Sequence, residues 1–244
     1  MTLLVALKGQ DGLVLAADSR GTFGDPSATT AQNDSMQKAH VLAPHVGALS
    51  AGAGEVASLL ILEATQAIGV MDGVTPVMEH LRSTARNKYG EWFPSVPAIQ
   101  PPALLMTGQA PSRPGLILLV AGYEMVGDKG AEAKVYQLQS QNDFAPMLHD
   151  YGFAVAGVPQ YALYLLNRLY EPNRSIQELT ALAVYVITET ASQDGKVGGP
   201  VKVITISADD GCAVLDEDQV VHVLDGNEVR SKALRDSFYE RSAE

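Results

Sequence analysis

The 244-residue sequence contains a single cysteine, Cys212, and this scarcity excludes two kinds of site. One thiol forms no internal disulfide and supplies no cysteine metal centre, and low cysteine usage fits a reducing compartment. The five histidines show no metal-ligand spacing such as H-E-x-x-H. We therefore expect the chain to work without a bound metal.

Positive charge and long apolar runs are also scarce. Lysine and arginine number 17 against 28 acidic residues, for a net charge of −11. That balance argues against nucleic acid or an anionic membrane as the main partner, because both need positive patches. No run approaches the roughly 18 apolar residues of a membrane span, and "LLVAL" is followed at once by Lys8 rather than by a secretory cleavage pattern. We expect a cytoplasmic protein.

The apolar pattern itself predicts alternating groups of strands and helices. The runs "TLLVALKG" and "GLVLAADSR" flank "GQDG" and predict a β-hairpin. Helical spacing follows in two pairs of segments, with Thr75 as an N-cap of the second segment and Ser175–Glu178 as a capping box of the fourth. The predicted helices are 55–70, 75–90, 159–170 and 175–192, with a polar helix from about 227.

Strands are predicted between and after the helix pairs, among them 103–109, 201–207, 212–216 and 219–224, while the polar segment 22–37 is predicted as a loop. Strand groups that alternate with helix pairs indicate an α+β protein with antiparallel sheets. We predict a four-layer α-β-β-α sandwich of two antiparallel sheets. No segment resembles a linker, so we expect one domain over residues 1–244, with a C-terminal extension from about 208.

The first strand-like run begins at Thr2, directly behind the initiator Met. Removal of that Met, expected before a small residue, leaves an α-amine and a hydroxyl on one residue. The amine has an ordinary pKa of about 7.7–8.0, so part of it is an unprotonated base near neutrality. It can take the hydroxyl proton, directly or through one water, and thereby make Oγ a nucleophile. The sequence thus predicts an N-terminal threonine nucleophile.

Such a nucleophile needs a nearby cation, and a flexible lysine needs a carboxylate to hold it. Lys38, where the chain re-enters the sheet, and Asp18, at the end of the second strand, are the candidates. Each alone also fits an ordinary role, on the surface or in a turn. A backbone N–H in the small-residue turn "SAGAGE", at Ala51 or Gly52, would hold the oxyanion.

These motifs together resemble the proteasome β-subunit superfamily of N-terminal-nucleophile hydrolases, which includes the HslV-type peptidases. The resemblance covers roughly residues 2–207 and is densest in "TLLVALKGQDGLVLAADSR", "ALSAGAGEVASLL" and "ASQDGKVGGPVKVITI". It implies the superfamily's four-layer fold, with Thr2, Asp18 and Lys38 as catalytic residues. It also implies that Asp194, in an Asp-x-x-Ser-Gly-Gly-like segment, supports the amine of Thr2, although Asp194 equally suits a turn after the 175–192 helix.

The function that the resemblance implies is a threonine peptidase that forms an acyl-enzyme on Thr2 and needs no cofactor. It further implies peptide or protein substrates, a homo-oligomeric ring and an ATP-dependent unfoldase as partner. Two departures stand against this: Val197 replaces the usual serine of the Gly-Gly segment, and Gly157 or Val158 replaces another serine near the site. Two alternatives therefore stay open. One is a catalytically silent ring-forming scaffold subunit, and the other is a transpeptidase or ligase that uses the same acyl-enzyme.

Overall fold

A computed structural model describes residues 2–25, 28–68, 71, 73–94, 113–125 and 130–239. The strand predicted at 103–109 lies outside the described residues. No helix in the described ranges combines the length and the apolar character that crossing a bilayer requires.

The first sheet contains five strands in the order β10-β1-β2-β11-β12, and every neighbouring pair is antiparallel. Its central strands β1 and β2 form the predicted hairpin. The strands are β1 (Leu3–Lys8), β2 (Leu13–Ala17), β10 (Phe153–Gly157), β11 (Lys202–Ser207) and β12 (Gly211–Val214).

The second sheet is also antiparallel, in the order β5-β6-β7-β8-β9. Its strands are β5 (Ala39–Ala43), β6 (Val46–Gly52), β7 (Leu116–Met125), β8 (Ala131–Gln139) and β9 (Met147–Leu148). A separate two-stranded ribbon pairs β3 (Gly21–Asp25) with β4 (Ala28–Asn33).

Five α-helices cover the sheets within the described residues, and the two predicted helix pairs are present. They are α1 (Gly54–Ile68), α2 (Val74–Trp92), α3 (Pro159–Leu169), α4 (Ile176–Gln193) and α5 (Glu217–Tyr239). The capping box at the start of α4 is formed as predicted, because the Ser175 side chain and the Glu178 side chain each bond the other residue's backbone N–H.

Three buried clusters define the layers. One lies between α1–α2 and the second sheet, one between the two sheets, and one between the first sheet and α3–α5. The side chains of β1 alternate between two of these clusters: Leu3 and Val5 pack under the helices and Leu4 packs between the sheets. A strand buried on both faces is apolar throughout, as "LLVAL" is. The four-layer α-β-β-α sandwich is thereby confirmed.

Two predicted elements were wrong. Segment 219–224 is part of helix α5, because Asp216 and Gln219 form a reciprocal N-terminal cap that the alternating valines concealed. Segment 22–37 is not all loop, because β3 and β4 form a ribbon that extends to Asn33. Its β-branched and aromatic residues favour strand once a partner strand is present.

Helix α2 also begins differently from the prediction. Its N-cap is Gly73, at φ +89°, and not Thr75, which lies inside the first turn. The backbone N–H of Thr75 donates to Oε2 of Glu124, on strand β7, at 2.9 Å. A carboxylate from strand β7 therefore caps this helix, and its negative charge interacts favourably with the positive end of the helix dipole.

Candidate active site

Thr2 lies directly before strand β1 and is only 6% exposed. Its carbonyl oxygen accepts a hydrogen bond from the N–H of Val158 at 2.9 Å. In the next register positions Leu3 pairs with Gly157 of β10 and Leu4 pairs with Ala17 of β2. Strands on both sides thus tie down the beginning of this chain, a place where chains otherwise fray.

Asp18 is fully buried beside Thr2 and accepts four hydrogen bonds. Oδ1 accepts from the N–H of Leu3 at 2.9 Å and from Nζ of Lys38 at 2.9 Å. Oδ2 accepts from the N–H groups of Arg20 at 3.2 Å and Gly198 at 3.1 Å. Three backbone donors and one ammonium satisfy the carboxylate, which a buried charge requires.

Lys38 lies just before β5, and its side chain is 7% exposed. Besides Asp18, its ammonium donates to the carbonyl oxygen of Arg20 at 2.6 Å. Burial lowers the pKa of Lys38, while the Asp18 carboxylate opposes that shift. The predicted lysine–carboxylate pair is therefore present as a buried and geometrically fixed ion pair.

A cavity of about 210 Å³ opens beside this pair, and Thr2 and Lys38 both line it. Much of the remaining wall consists of small residues, among them Gly21, Ser50, Ala51, Gly52, Ala53, Gly54 and Ala57. The Met36 side chain extends between two of these glycines: a Cβ added to Gly21 or to Gly54 would come within 2.6 Å of it. The cavity beside Thr2 is therefore lined by small residues, by Met36 and by larger side chains such as Phe23 and Glu55.

The two candidate oxyanion donors face opposite edges of β6. The N–H of Ser50 donates to Lys38 across the β5 side, and the N–H of Ala53 donates to Gly115 across the β7 side. Because N–H directions alternate along a strand, Ala51 points toward β7 and Gly52 points toward the β5 side, where β5 has already ended. Of the two, the geometry therefore favours the N–H of Gly52 as the donor facing the cavity.

Asp194 lies directly after helix α4, and the hydrogen bonds described for it are with nearby residues of the chain. Its Oδ1 accepts from the N–H of Lys196 at 2.9 Å, and its carbonyl oxygen accepts from the N–H of Val197 at 3.0 Å. None of the hydrogen bonds described for Asp194 reaches Thr2, Asp18 or Lys38. From this segment it is the N–H of Gly198 that reaches the carboxylate of Asp18.

The two departures from the superfamily pattern have different structural causes. Val197 is fully buried in the cluster beneath the helices, so an apolar contact occupies the position of the expected hydroxyl. Gly157 has φ +95°, and a Cβ there would lie 1.7 Å from the carbonyl oxygen of Thr2. The backbone of β1 itself thus excludes any side chain at Gly157.

Arg20 was not predicted as a site residue, yet it contacts both Asp18 and Lys38. Its N–H donates to Asp18, its carbonyl oxygen accepts from Lys38, and its guanidinium forms a two-bond ion pair with Asp34. The only indication of Arg20 in the sequence was its position directly after "DS", at the end of the second predicted strand. The partner Asp34 lies in a segment whose path the sequence did not define.

One consequence for stability concerns His40, on strand β5, whose Nε2 lies 3.4 Å from Oγ of Ser50 in the cavity wall. Burial lowers the pKa of His40 to about 4, against about 6.5 in an unfolded chain. The unfolded chain therefore takes up this proton first, and stability is lost as the pH falls through the range between the two values. We expect a cost of about 2–3 kcal/mol between about pH 7 and about pH 4.

Urea denaturation of His40→Gln at those two pH values measures this contribution. The variant should lose less stability on acidification than the parent protein, and His222→Gln, at an exposed position, should lose as much as the parent. Equal acid losses in the parent and in His40→Gln would contradict the assignment.

Comparisons with known protein sequences agree with this fold, and one of them matches the N-terminal part of the chain. The family model for proteasome subunits matches residues 2–66. Proteasome subunit beta 1 of Streptomyces avermitilis is 24% identical over 230 residues, which are 89% of this chain and 73% of that protein. The resemblance to the proteasome β-subunit superfamily is confirmed, and the chain has the N-terminal-nucleophile hydrolase fold of that superfamily.

Among solved structures, the chain is similar to Anbu proteins. The Anbu complex of Pseudomonas aeruginosa, a helical assembly, superposes with a TM-score of 0.74 at 17% identity, over 99% of this chain and 98% of the other. Anbu of Yersinia bercovieri, described as an ancestral beta-subunit, superposes with a TM-score of 0.72 at 16% identity, again over 99% and 98%. The chain thus has the fold of Anbu over nearly its whole length.

Proposed function

We propose that this chain is an N-terminal threonine hydrolase, a proteasome-like peptidase that acts through an acyl-enzyme on Thr2 once Met1 has been removed. The observation that carries the proposal is the buried Lys38–Asp18 ion pair, at 2.9 Å, on the wall of a cavity that Thr2 also lines. The sequence analysis predicted these same residues, with Thr2 as the nucleophile, Lys38 as the nearby cation and Asp18 as the carboxylate that holds Lys38.

In the proposed reaction the α-amine of Thr2 takes the proton of its own hydroxyl, directly or through one water. Oγ then attacks the carbonyl carbon of a peptide bond, and the amine of the departing segment leaves with a proton. The N–H of Gly52 stabilises the oxyanion. Attack by water on the resulting ester releases the second product and restores the hydroxyl.

Lys38 contributes to this reaction by its charge. A fixed ammonium beside Thr2 keeps the α-amine unprotonated at lower pH and stabilises the developing alkoxide. Asp18 holds that ammonium and also accepts the N–H of Leu3, so one carboxylate fixes the cation and the strand that carries the nucleophile. These are positioning tasks for Asp18, since its contacts are with Leu3, Arg20, Lys38 and Gly198.

The first test is the intact mass of the protein purified from its native host, followed by labelling with a peptide vinyl sulfone. We expect the mass to lack one methionine residue and the label to attach to Thr2. Thr2→Ala should lose labelling entirely, and Thr2→Ser should keep part of it, because a hydroxyl and an α-amine remain. Retention of Met1 in the assembled protein would contradict the mechanism, since the nitrogen of Thr2 would then be an amide.

We further propose that the chain assembles with copies of itself. Helix α3 carries four exposed large apolar residues, Tyr161, Leu163, Tyr164 and Leu169, of which Tyr161 and Tyr164 lie on the same side of the helix. Clusters of exposed apolar side chains mark association surfaces. The Anbu complex of Pseudomonas aeruginosa forms a helical assembly with the same fold. The same proposal includes a closed ring of copies, which sedimentation tests. It also includes an ATP-dependent unfoldase as partner, which pull-down experiments test.

A catalytically silent scaffold subunit is the second candidate, and the missing hydroxyls at Gly157 and Val197 favour it. That candidate predicts an assembled protein that no Thr2-directed electrophile labels. A transpeptidase or ligase instead predicts normal labelling, with added amines intercepting the acyl-enzyme in competition with water.

A further inference from the structure

Arg20 and Asp34 form a two-bond ion pair across the loops that surround Asp18. Nε and Nη2 of Arg20 donate to Oδ1 and Oδ2 of Asp34, each at 2.8 Å. Two parallel bonds fix the orientation of the guanidinium plane, unlike a single contact between point charges. The pair joins the end of β2 to the chain between β4 and β5.

The same guanidinium also holds the segment that follows helix α4. Nη1 of Arg20 donates to the carbonyl oxygens of Gly195 at 3.2 Å and Val197 at 3.5 Å. The guanidinium lies directly over Gly198, where an added Cβ would come within 2.6 Å of its central carbon. Gly199 in turn packs against Asp34, with 2.9 Å between an added Cβ and the Asp34 Cβ. Both partners of the ion pair thus contact this segment.

That segment matters because the N–H of Gly198 is one of the four donors to the carboxylate of Asp18. The backbone of Arg20 supplies another donor to Asp18 and the second acceptor of Lys38. One residue therefore determines by its backbone where Asp18 and Lys38 lie, and by its side chain where Gly198 lies.

We propose that the Arg20–Asp34 ion pair is a positioning clamp for the active site, which orders the Gly198 segment around Asp18 without the two hydroxyls missing at Gly157 and Val197. In this proposal neither the Arg20 nor the Asp34 side chain contacts the reacting atoms. The clamp acts through Asp18 and Lys38, and its catalytic consequence rests on the proposed function.

The clamp also influences the charge of the site. The charged groups near Lys38 are Asp18, Arg20 and Asp34; Asp34 raises the pKa of Lys38 and Arg20 lowers it. Glu55 lies on the rim of the same cavity. Removal of only one member of the ion pair therefore changes the net charge beside Lys38 and Thr2, and the two possible removals change it in opposite directions.

The experiment compares Arg20→Gln, Asp34→Asn and the double variant by two readouts. The first is hydrogen exchange at the N–H of Gly198, which needs no enzymatic activity. The second is the pH profile of Thr2 labelling by a peptide vinyl sulfone. Glu79→Gln is the control, since the Arg82–Glu79 pair has nearly the same side-chain exposure, 26% and 47%, as Arg20 and Asp34, at 23% and 43%.

We expect exchange at Gly198 to become about tenfold faster in both single variants, which corresponds to about 1.4 kcal/mol of lost local stability. Labelling should slow about tenfold at the optimum pH. The profile should move by a few tenths of a pH unit, upward for Arg20→Gln and downward for Asp34→Asn. The double variant should return the profile to the parent pH while labelling stays slow, and Glu79→Gln should match the parent in both readouts.

Unchanged exchange at Gly198 in both single variants would overturn the clamp, whatever happens to labelling. Shifts of the pH profile in the same direction for both variants would also overturn it. A general loosening of the structure would act alike in both variants, whereas loss of a positive and loss of a negative charge act in opposite directions. If exchange responds but the parent protein never labels at Thr2, the clamp stands and the proposed hydrolase function fails.

Discussion

Replacement of Lys38 by methionine is expected to slow labelling of Thr2 at least a hundredfold and to destabilise the protein by about 3–5 kcal/mol. The rate falls because the cation beside the nucleophile is lost. Stability falls because Asp18, which is fully buried, is left as a charge with backbone donors only. Labelling kinetics and urea denaturation measure the two effects separately.

Two comparisons separate the charge effect from damage to the fold. The double variant Lys38→Met/Asp18→Asn removes the unpaired charge and should recover part of the stability without recovering the labelling. Lys88→Met removes a half-exposed partner of Glu63 and should cost much less stability than Lys38→Met. Labelling of Lys38→Met at the parent rate would show that Lys38 has no role in activating Thr2.

Replacement of Gly157 by alanine is expected to cost about 4 kcal/mol and to abolish labelling of Thr2. At φ +95° an alanine is strained, and its Cβ would also lie 1.7 Å from the carbonyl oxygen of Thr2, so strands β10 and β1 would have to separate. Gly157→Ser should fail in the same way, and a serine therefore cannot simply be restored at this position.

Gly130→Ala is the matched control for this prediction. Gly130 has φ +90°, and an added Cβ there meets no atom of the described residues within 4 Å, so its substitution measures mainly backbone strain, about 1 kcal/mol. Urea denaturation of both variants isolates the contact with Thr2. Equal losses for Gly130→Ala and Gly157→Ala would mean that this contact does not hold Thr2 in place.

The sequence predicted the parts of the fold that local patterns determine. The apolar runs of β1 and β2, the glycines between them and the capping box of α4 are signals within a few residues of each other, and each led to the observed element. Helix α5 carried such a signal too, in Asp216 and Gln219. The alternation of "QVVHV" favoured strand and concealed it.

Contacts between distant segments explain what the sequence did not predict. The cap of α2 comes from Glu124 on another strand, and the partner of Arg20 comes from Asp34 across a ribbon that was predicted as a loop. Similarly, the choice between Ala51 and Gly52 depends on where β5 ends beside β6. These contacts join segments that are far apart in the sequence, and the spacing of residues within one segment does not show which segments meet.

The position of β1 between β2 and β10 gives the protein an order of events during its synthesis. Pairing of Leu3 with Gly157 requires that residue 157 of 244 has been made, so one side of β1 stays open while most of the chain is still being translated. On the proposed removal of Met1, an aminopeptidase would work on an accessible end during that interval. Once β10 docks, only 6% of the Thr2 surface stays exposed. The timing of translation would thus separate the proposed maturation of this chain end from its burial.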